Sequence, residues 1–476
     1  MRSSNSPTEL DKRAAQIAGQ IEAEIIRRDW PIGESLGSEQ SLQQRYDVSR
    51  SVLREAIRLV EHHQVARMRR GRGGGLIVTV PDAGPATRAV VIYLEYLGTT
   101  MEELLAARLL LEPLASGLAA ERIDEAGIAR LRTLLGTHRP QPSADDFHVV
   151  LGDLAGNPVL ALFIDVLSRL TARYAADSEI PPPGEVDAAI DRLVVDHTAI
   201  VEAVTAGDSG RAKTLTEQHV ETVTALLDQH YRPKREPRRT STTAPGAPES
   251  KRAEVLAAVV YQDIVAGGWQ TGSVFGAEQE LLERYGVSRP VLREAVRLLE
   301  YHTIARMRRG PGGGLIVTEP QPQASVDTIA LYLEYRRPSR EDLRLVRDAI
   351  EINNVATVVS RRADSDVVRF LTDQRRAAGA TDDRDPGEAA GLAEYFFHTD
   401  LADLAGNRAL NLFLRILVEL FGRHWTSTMQ PMPQVKDAEE VHRAHARILD
   451  AILDGDDSMA AHRARRHLEA LSSWWL

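Results

Sequence analysis

The chain holds 14 histidines among 476 residues, and two sets of them recur at matching spacing. Glu394 and His398 are four apart, which places both side chains on one face of a helix. His445 and His467 lie 22 residues apart with Gly455-Asp456 between them, so they fall on different helices. His148, His197 and His219 occupy the equivalent positions earlier in the chain, and the last two are again 22 apart. Three imidazoles and a carboxylate drawn from three helices would suit zinc, nickel or manganese, with positions left open for a ligand. A single histidine is more often a core or surface residue, but recurrence of the whole set favours a metal.

A second constellation is basic. Eight arginines lie between Arg45 and Arg72 against Asp47, Glu55 and Glu61, and seven lie between Arg284 and Arg309 against Glu294 and Glu300. The chain as a whole carries a net charge of −10. A local basic face on an acidic body confines phosphate attraction to one surface. Arg50 and Arg54 are four apart at the start of an apolar-striped segment, as are Arg289 and Arg293. That is the arrangement a helix needs to present arginines to phosphates and base edges in a major groove. Ser49, Ser51 and Ser288 can cap such a helix or donate to phosphate. Beyond it, Arg69, Arg70 and Gly71, then Arg308, Arg309 and Gly310, lie on glycine-rich turns where backbone can approach a narrow groove. The glycine runs lack the Gly-Lys-Ser/Thr ending of a nucleotide-binding P-loop.

These residues belong to a duplicated unit. Val48–Val78 and Val287–Val317 align without a gap at an offset of 239 residues, with 24 of 31 positions identical. In the first copy, Asp11–Arg28 has helical apolar spacing, Ser38 opens a short helix over Glu39–Tyr46, and Ser49 or Ser51 opens a longer one to about His62. Val65–Met68 and Leu76–Val80 read as two strands around the glycine turn. Helix, helix-turn-helix and hairpin together make a winged helix. Pro81, Gly84 and Pro85 mark a boundary, after which the pattern is helical to about Tyr231, giving a bundle of about six helices. The same order then repeats. The expected fold is mainly α: two winged helix-turn-helix domains at 1–81 and 253–320, each followed by an all-α bundle, at 85–231 and 325–476, with a Pro/Ser/Thr-rich basic linker at 232–252.

The bulk numbers agree. Hydrophobic residues make up 43% and charged residues 26%, within the globular range, and there is no cysteine to form a disulfide or a thiolate site. The start, MRSSNSPTELDKR, lacks the apolar core of a signal peptide, and no apolar run approaches spanning length. A soluble, cytoplasmic protein without a membrane partner is expected.

The string Val-Ser-Arg-x-x-x-Arg-Glu-Ala-x-Arg-x-Leu/Val-Glu, followed by a glycine wing and an α-bundle, resembles the GntR family of bacterial transcription regulators. The helical part is similar to that of the FadR subfamily, whose ligand-binding portion is called the FCD domain. The resemblance implies DNA contacts from the recognition-helix pairs Arg50/Arg54 and Arg289/Arg293 and from the wings at Arg70-Gly71 and Arg309-Gly310. The family's short-helix arginine is replaced by Gln40 and Gln279, and Pro290 stands where the first copy has Ser51. The resemblance also implies a divalent metal held by an acid, a histidine four residues on, and two later histidines. Glu394, His398, His445 and His467 fit that set. In the first half Ala144 stands at the acid's position and Asp145 lies one residue late, so metal is better supported in the second half. Arg108 with Glu112, and Arg347 with Glu351, match the family's first bundle helix. Each is either an exposed i,i+4 ion pair worth a few tenths of a kcal/mol or a pocket arginine for a carboxylate effector.

The resulting expectation is a transcription regulator, a repressor as is commoner in the family, whose operator affinity is set by a small carboxylate-bearing metabolite. The fused halves would act as a pseudo-dimer on a double-stranded operator with two half-sites, and no catalysis is expected. The alternative is a metal-dependent hydrolase using the histidines, with the DNA-binding domains as appendages. Such an enzyme would need a general base and a substrate channel, for which the sequence offers no distinctive motif.

Overall fold

The computed structural model describes residues 9–69, 71, 74–81, 83–136, 147–176, 183–230, 249–308, 310, 312–320, 322–377, 386–428 and 435–474. Asp145, Arg70, Arg309, the turn at 138–143 and positions 232–248 of the expected linker lie outside them.

The first unit begins with α1 (Glu9–Arg27), α2 (Glu39–Tyr46) and α3 (Arg50–His62), followed by β1 (Ala66–Arg69) and β2 (Gly75–Val78). Ala14, Ile17, Ala18, Ile21 and Ile25 are the buried stripe of α1, and they meet Leu53, Ala56, Ile57 and Val60 of α3. Ser49 rather than Ser51 caps α3, its side chain accepting from the Val52 amide at 3.3 Å. The strands pair antiparallel, from Ala66 against Val78 to Arg69 against Gly75. Gly75 has φ of 139°, and a Cβ there would lie 2.6 Å from the Gly37 carbonyl oxygen, so glycine is required where the wing crosses the loop before α2.

The helical part comprises α4 (Ala83–Tyr96), α5 (Met101–Arg122), α6 (Glu125–Gly136), α7 (Phe147–Leu154), α8 (Pro158–Ala176), α9 (Pro183–Thr205) and α10 (Ser209–His230). Among the described residues that is seven helices rather than about six, because the stretch after Gly98 breaks at Ile123-Asp124 into α5 and α6; α4 also begins earlier than expected, inside the boundary. Gly84 and Pro85 sit in its first turn, where proline's missing N–H costs nothing.

The second unit repeats this order: α11 (Glu249–Ala266), β3 (Val274–Gly276), α12 (Glu278–Tyr285), α13 (Arg289–Tyr301), β4 (Ala305–Arg308) and β5 (Gly314–Val317). Its bundle is α14 (Pro322–Arg336), α15 (Arg340–Ser360), α16 (Ser365–Ala377), α17 (Pro386–Ala405), α18 (Arg408–Thr428), α19 (Val435–Asp454) and α20 (Asp457–Trp474). The last four residues of the expected linker, 249–252, form the first turn of α11. The wing here is three-stranded, β3-β5-β4, whereas the first copy has only a bridge from Ser35 to Ile77 at that place.

The halves pack against each other reciprocally. One apolar core runs through both bundles, and at its centre Phe163 of α8 and Phe413 of α18 stack, rings 3.9 Å apart and 4° from parallel. Asn157 Nδ2 donates to the Asp342 carbonyl at 3.0 Å, and Asn407 Nδ2 to the Glu103 carbonyl at 2.8 Å. The winged helices are crossed over. Ile92 of α4 is buried in the core of the second winged helix, and Leu331 of α14 in that of the first. Tyr96 meets Trp269 edge-on at 5.4 Å, and Tyr335 meets Trp30 likewise at 5.2 Å. No helix among the described residues is long and apolar enough to cross a membrane.

Candidate metal centres and nucleic-acid interface

In the second bundle α17 supplies Glu394 and His398 from one face, α19 supplies His445 and α20 supplies His467. Their ligand atoms all lie within 4.8 Å of one another. His467 Nε2 is 3.2 Å from His398 Nε2 and 3.1 Å from His445 Nε2. Glu394 Oε1 is 2.9 Å from His398 Nε2, and its Oε2 is 3.0 Å from His445 Nε2. Donors about 2.0–2.1 Å from one divalent ion sit roughly 3.0–3.4 Å from each other, so the observed spacing fits such an ion. Phe397 stacks on His445 at 3.8 Å and fixes that ring's plane.

A second layer orients the first. Glu351 of α15 faces His398 Nδ1, and Arg347 Nε donates to the other Glu351 oxygen at 2.5 Å. With its Nδ1 hydrogen directed at a carboxylate, His398 turns its Nε2 lone pair toward the cluster. Arg347 Nη2 also reaches Glu394 Oε1 at 3.3 Å. Both Arg347 and Glu351 are buried, so the pair is not the exposed alternative. Burial opposes a charge on His398, but Glu351 and Glu394 outweigh it and push the imidazole up to about 9. Burial pushes His445 down to about 4. Glu394 lies well below the usual carboxylate range; burial opposes this, and His398 and the other imidazoles overcome it. A metal bound here would displace the His398 proton.

The first bundle repeats the plan. His148 of α7, His197 of α9 and His219 of α10 converge, with His197 Nε2 and His219 Nε2 at 3.3 Å. His148 Nδ1 faces Glu112 Oε2 at 2.9 Å, and Arg108 Nε donates to Glu112 Oε1 at 2.5 Å, again buried. Phe147 stacks on His197 at 3.9 Å. Burial and the charge of His148 push His219 down to about 4. Among the described residues no carboxylate takes the place of Glu394; His219 Nδ1 instead meets Asp196 from outside, at 3.2 Å.

On the winged helices Gln40, Ser49, Arg50, Ser51 and Arg54 are all exposed, on α2 and at the start of α3, and so are Gln279, Ser288, Arg289 and Arg293 on α12 and at the start of α13. Glu39 was not foreseen in this role: its Oε1 accepts from Arg50 Nε at 3.0 Å and Arg54 Nε at 2.7 Å. These bonds hold the Glu39 carboxyl below its ordinary range and leave the outer guanidinium nitrogens free to reach a partner. In the second copy Glu278 lies 3.6 Å from Arg289 Nε. Arg69, Gly71, Arg308 and Gly310 are exposed at the wings, and Arg308 Nη2 donates to the Gly312 carbonyl at 2.7 Å. The first signal for Glu39 lay in the sequence, as the acid directly after the Ser38 cap.

Comparison with known proteins decides what this arrangement is. The profile for bacterial regulatory proteins of the gntR family matches residues 13–75 and 252–314, and that of the FCD domain matches 103–222 and 342–470. The chain belongs to the GntR family. It carries the FadR-like combination of winged helix and FCD domain twice, in tandem. The Uxu operon regulator of Haemophilus influenzae is 23% identical over 236 residues, which is 46% of this chain and 83% of that protein. The HTH-type transcriptional regulator LutR of Bacillus subtilis is 26% identical over 209 residues, 42% of this chain and 94% of its own length. The Exu regulon transcriptional regulator of Escherichia coli K12 is 25% identical over 231 residues. Each relative is matched over most of its length by less than half of this GntR protein, as a single copy of a duplicated unit would be. The solved structure of Streptococcus agalactiae GntR is 21% identical, covers 45% of this chain and gives a TM-score of 0.33. This tandem GntR chain is thus a transcription regulator with DNA-binding and ligand-binding domains in both halves.

Proposed function

We propose that one chain acts as a pseudo-dimer that represses transcription, with its winged helices on the two half-sites of one operator, in the cytoplasm. The reciprocal packing of the halves carries this reading. A single-copy relative would have to bring two chains together, whereas here Phe163 with Phe413, and the crossed pairs Tyr96–Trp269 and Trp30–Tyr335, hold the halves within one chain. Fusion replaces a concentration-dependent association by an intramolecular one. Repression is supported by relatives named as such, including the HTH-type transcriptional repressor NanR of Cronobacter sakazakii, 26% identical over 235 residues.

Arg50, Arg54, Arg289 and Arg293 would read the grooves, with Gln40, Ser49, Ser51, Gln279 and Ser288 beside them and the wing residues Arg69, Arg70, Gly71, Arg308, Arg309 and Gly310 on the backbone. The two faces are unequal, since Glu39 clamps both recognition arginines of the first copy and Glu278 sits further from Arg289. The half-sites should therefore be related but not identical.

Glu394, His398, His445 and His467 would hold a divalent metal (zinc, nickel or manganese). His148, His197 and His219, with Asp145 as the nearest acid in sequence, would hold one less completely. When bound, the ion supplies Lewis acidity toward an oxygen ligand. The effector proposed is a small carboxylate-bearing metabolite, with Arg347 and Arg108 supplying positive charge beside the histidines. On the side of His398 and Phe397 room for it would have to be made by movement, because the void there measures only about 10 Å³. That requirement links ligand entry to displacement of α15, α17, α19 and α20, which is a route for coupling to the DNA-binding faces. Selection of bound DNA from a random pool, followed by competition with candidate carboxylates, tests the reading. Two related half-sites and release by a carboxylate support it; no sequence preference contradicts it.

A further inference from the structure

The outer groove between α19 and α20 carries chemistry that neither the metal constellation nor the DNA-reading face uses. Its volume is about 750 Å³. Arg443 and Arg447 line it from α19 and Arg463 and Arg466 from α20, and the buried His467 forms part of its inner wall. The first pair is four residues apart and the second three, so each pair shares one helix face. Like charges at these spacings repel. Compensation is partial: Glu440 lines the groove and Glu469 meets Arg466 at 3.1 Å. Arg463 Nη1 donates to the Arg447 carbonyl, which holds its side chain across the gap between the helices. Among the described residues neither Arg443 nor Arg447 has an ion-pair partner.

Comparison within the chain sharpens the point. Counted from the paired histidines His197/His445 and His219/His467, the four arginines correspond to Val195, Ala199, Leu215 and Gln218 in the first half. Val195 is 66% exposed, so the first copy presents an apolar surface where the second presents guanidinium groups. A generally basic protein would show arginines in both copies, yet this chain has a net charge of −10. The interior histidines are retained in both halves, whereas all four arginines of this outer groove are confined to the second.

We propose that the α19–α20 groove is a binding site, present in the second half alone, for a small molecule with two or more negative charges on phosphate or carboxylate groups. Converging guanidinium groups favour multiply charged oxyanions, which they can engage with paired N–H donors. A small ligand is favoured over a nucleic-acid backbone because the surface is concave and its walls belong to one bundle, α19 packing on α15, α16 and α17 and α20 on α15 and α19.

Isothermal titration calorimetry on the full chain, stripped of metal and dialysed, tests this with inorganic pyrophosphate and citrate as probes and acetate as the singly charged control. One multiply charged anion should bind per chain, and the tighter probe identifies the group as phosphate or carboxylate. Arg443→Gln/Arg447→Gln should weaken that binding at least tenfold, and Arg466→Gln should weaken it less. Both side chains of the double variant are exposed, and unchanged melting would show that it is folded. The proposal is overturned if neither probe binds, if acetate binds equally well, or if the double variant keeps its affinity. It is also overturned if the double variant instead loses affinity for random duplex DNA. The calorimetric readout uses neither DNA nor metal, so its failure leaves the reading as an operator-binding regulator intact.

Discussion

Replacing Phe413 by alanine probes the contact on which the pairing of the halves rests. Phe413 and Phe163 are both fully buried, and their rings lie parallel at 3.9 Å. Loss of one buried phenyl ring should destabilise the bundles by about 3–5 kcal/mol, and Phe163→Ala should cost a similar amount. The two losses should not add, because a stacked aromatic pair contributes about 0.5–1.5 kcal/mol beyond the burial of each ring. Phe163→Ala/Phe413→Ala should therefore be less destabilised than the sum by about that amount. Denaturant unfolding followed by far-ultraviolet circular dichroism, at several protein concentrations, gives the four stabilities of the cycle. Additivity to within about 0.5 kcal/mol would mean that the rings do not meet. A midpoint that rises with protein concentration would mean that they meet between chains. Either result refutes the intramolecular pairing.

Other consequences follow from the two sites. Arg54→Ala/Arg293→Ala should abolish operator preference, each lost base contact costing about 1–3 kcal/mol of discrimination, while wild-type binding should weaken steeply with salt in mobility-shift titrations. His398→Ala should remove metal from the second half and His148→Ala from the first, read as metal per chain by elemental analysis, with the His398 variant losing the more tightly held ion. His302 is pushed down to about 4 by burial and by Arg88 of α4. The native state then stays neutral at that imidazole while the unfolded chain takes up a proton below about 6.5. Stability is complete above that pH and falls as pH drops toward 4, by up to about 2 kcal/mol at pH 5. His302→Gln should flatten that part of the profile.

Much of this was legible in the sequence because periodicity and capping are local. Leu53, Ile57 and Val60 mark the buried stripe of the recognition helix, and Ser49 marks its start. The histidine set was legible because duplication repeated it. What stayed hidden were features that depend on which surfaces meet. Ile92 and Leu331 read as apolar positions of their own helices, and nothing local says that each completes the winged helix of the other half. Asn157 and Asn407 each accept from amides at the start of the helix that follows, a local role, yet each also crosses to the opposite bundle. Arg347 and Glu351 have the spacing of a surface ion pair, and only the approach of α17 shows that the glutamate steers His398. Glu39 likewise depends on α2 lying across the start of α3.

Native mass spectrometry of the full chain with a duplex carrying a selected operator puts the pseudo-dimer to its most direct test. One chain per duplex, with both half-sites protected in a footprint of the same complex, is the result required by two winged helices held within one molecule. Two chains on one duplex, or a single protected half-site per chain, would contradict it.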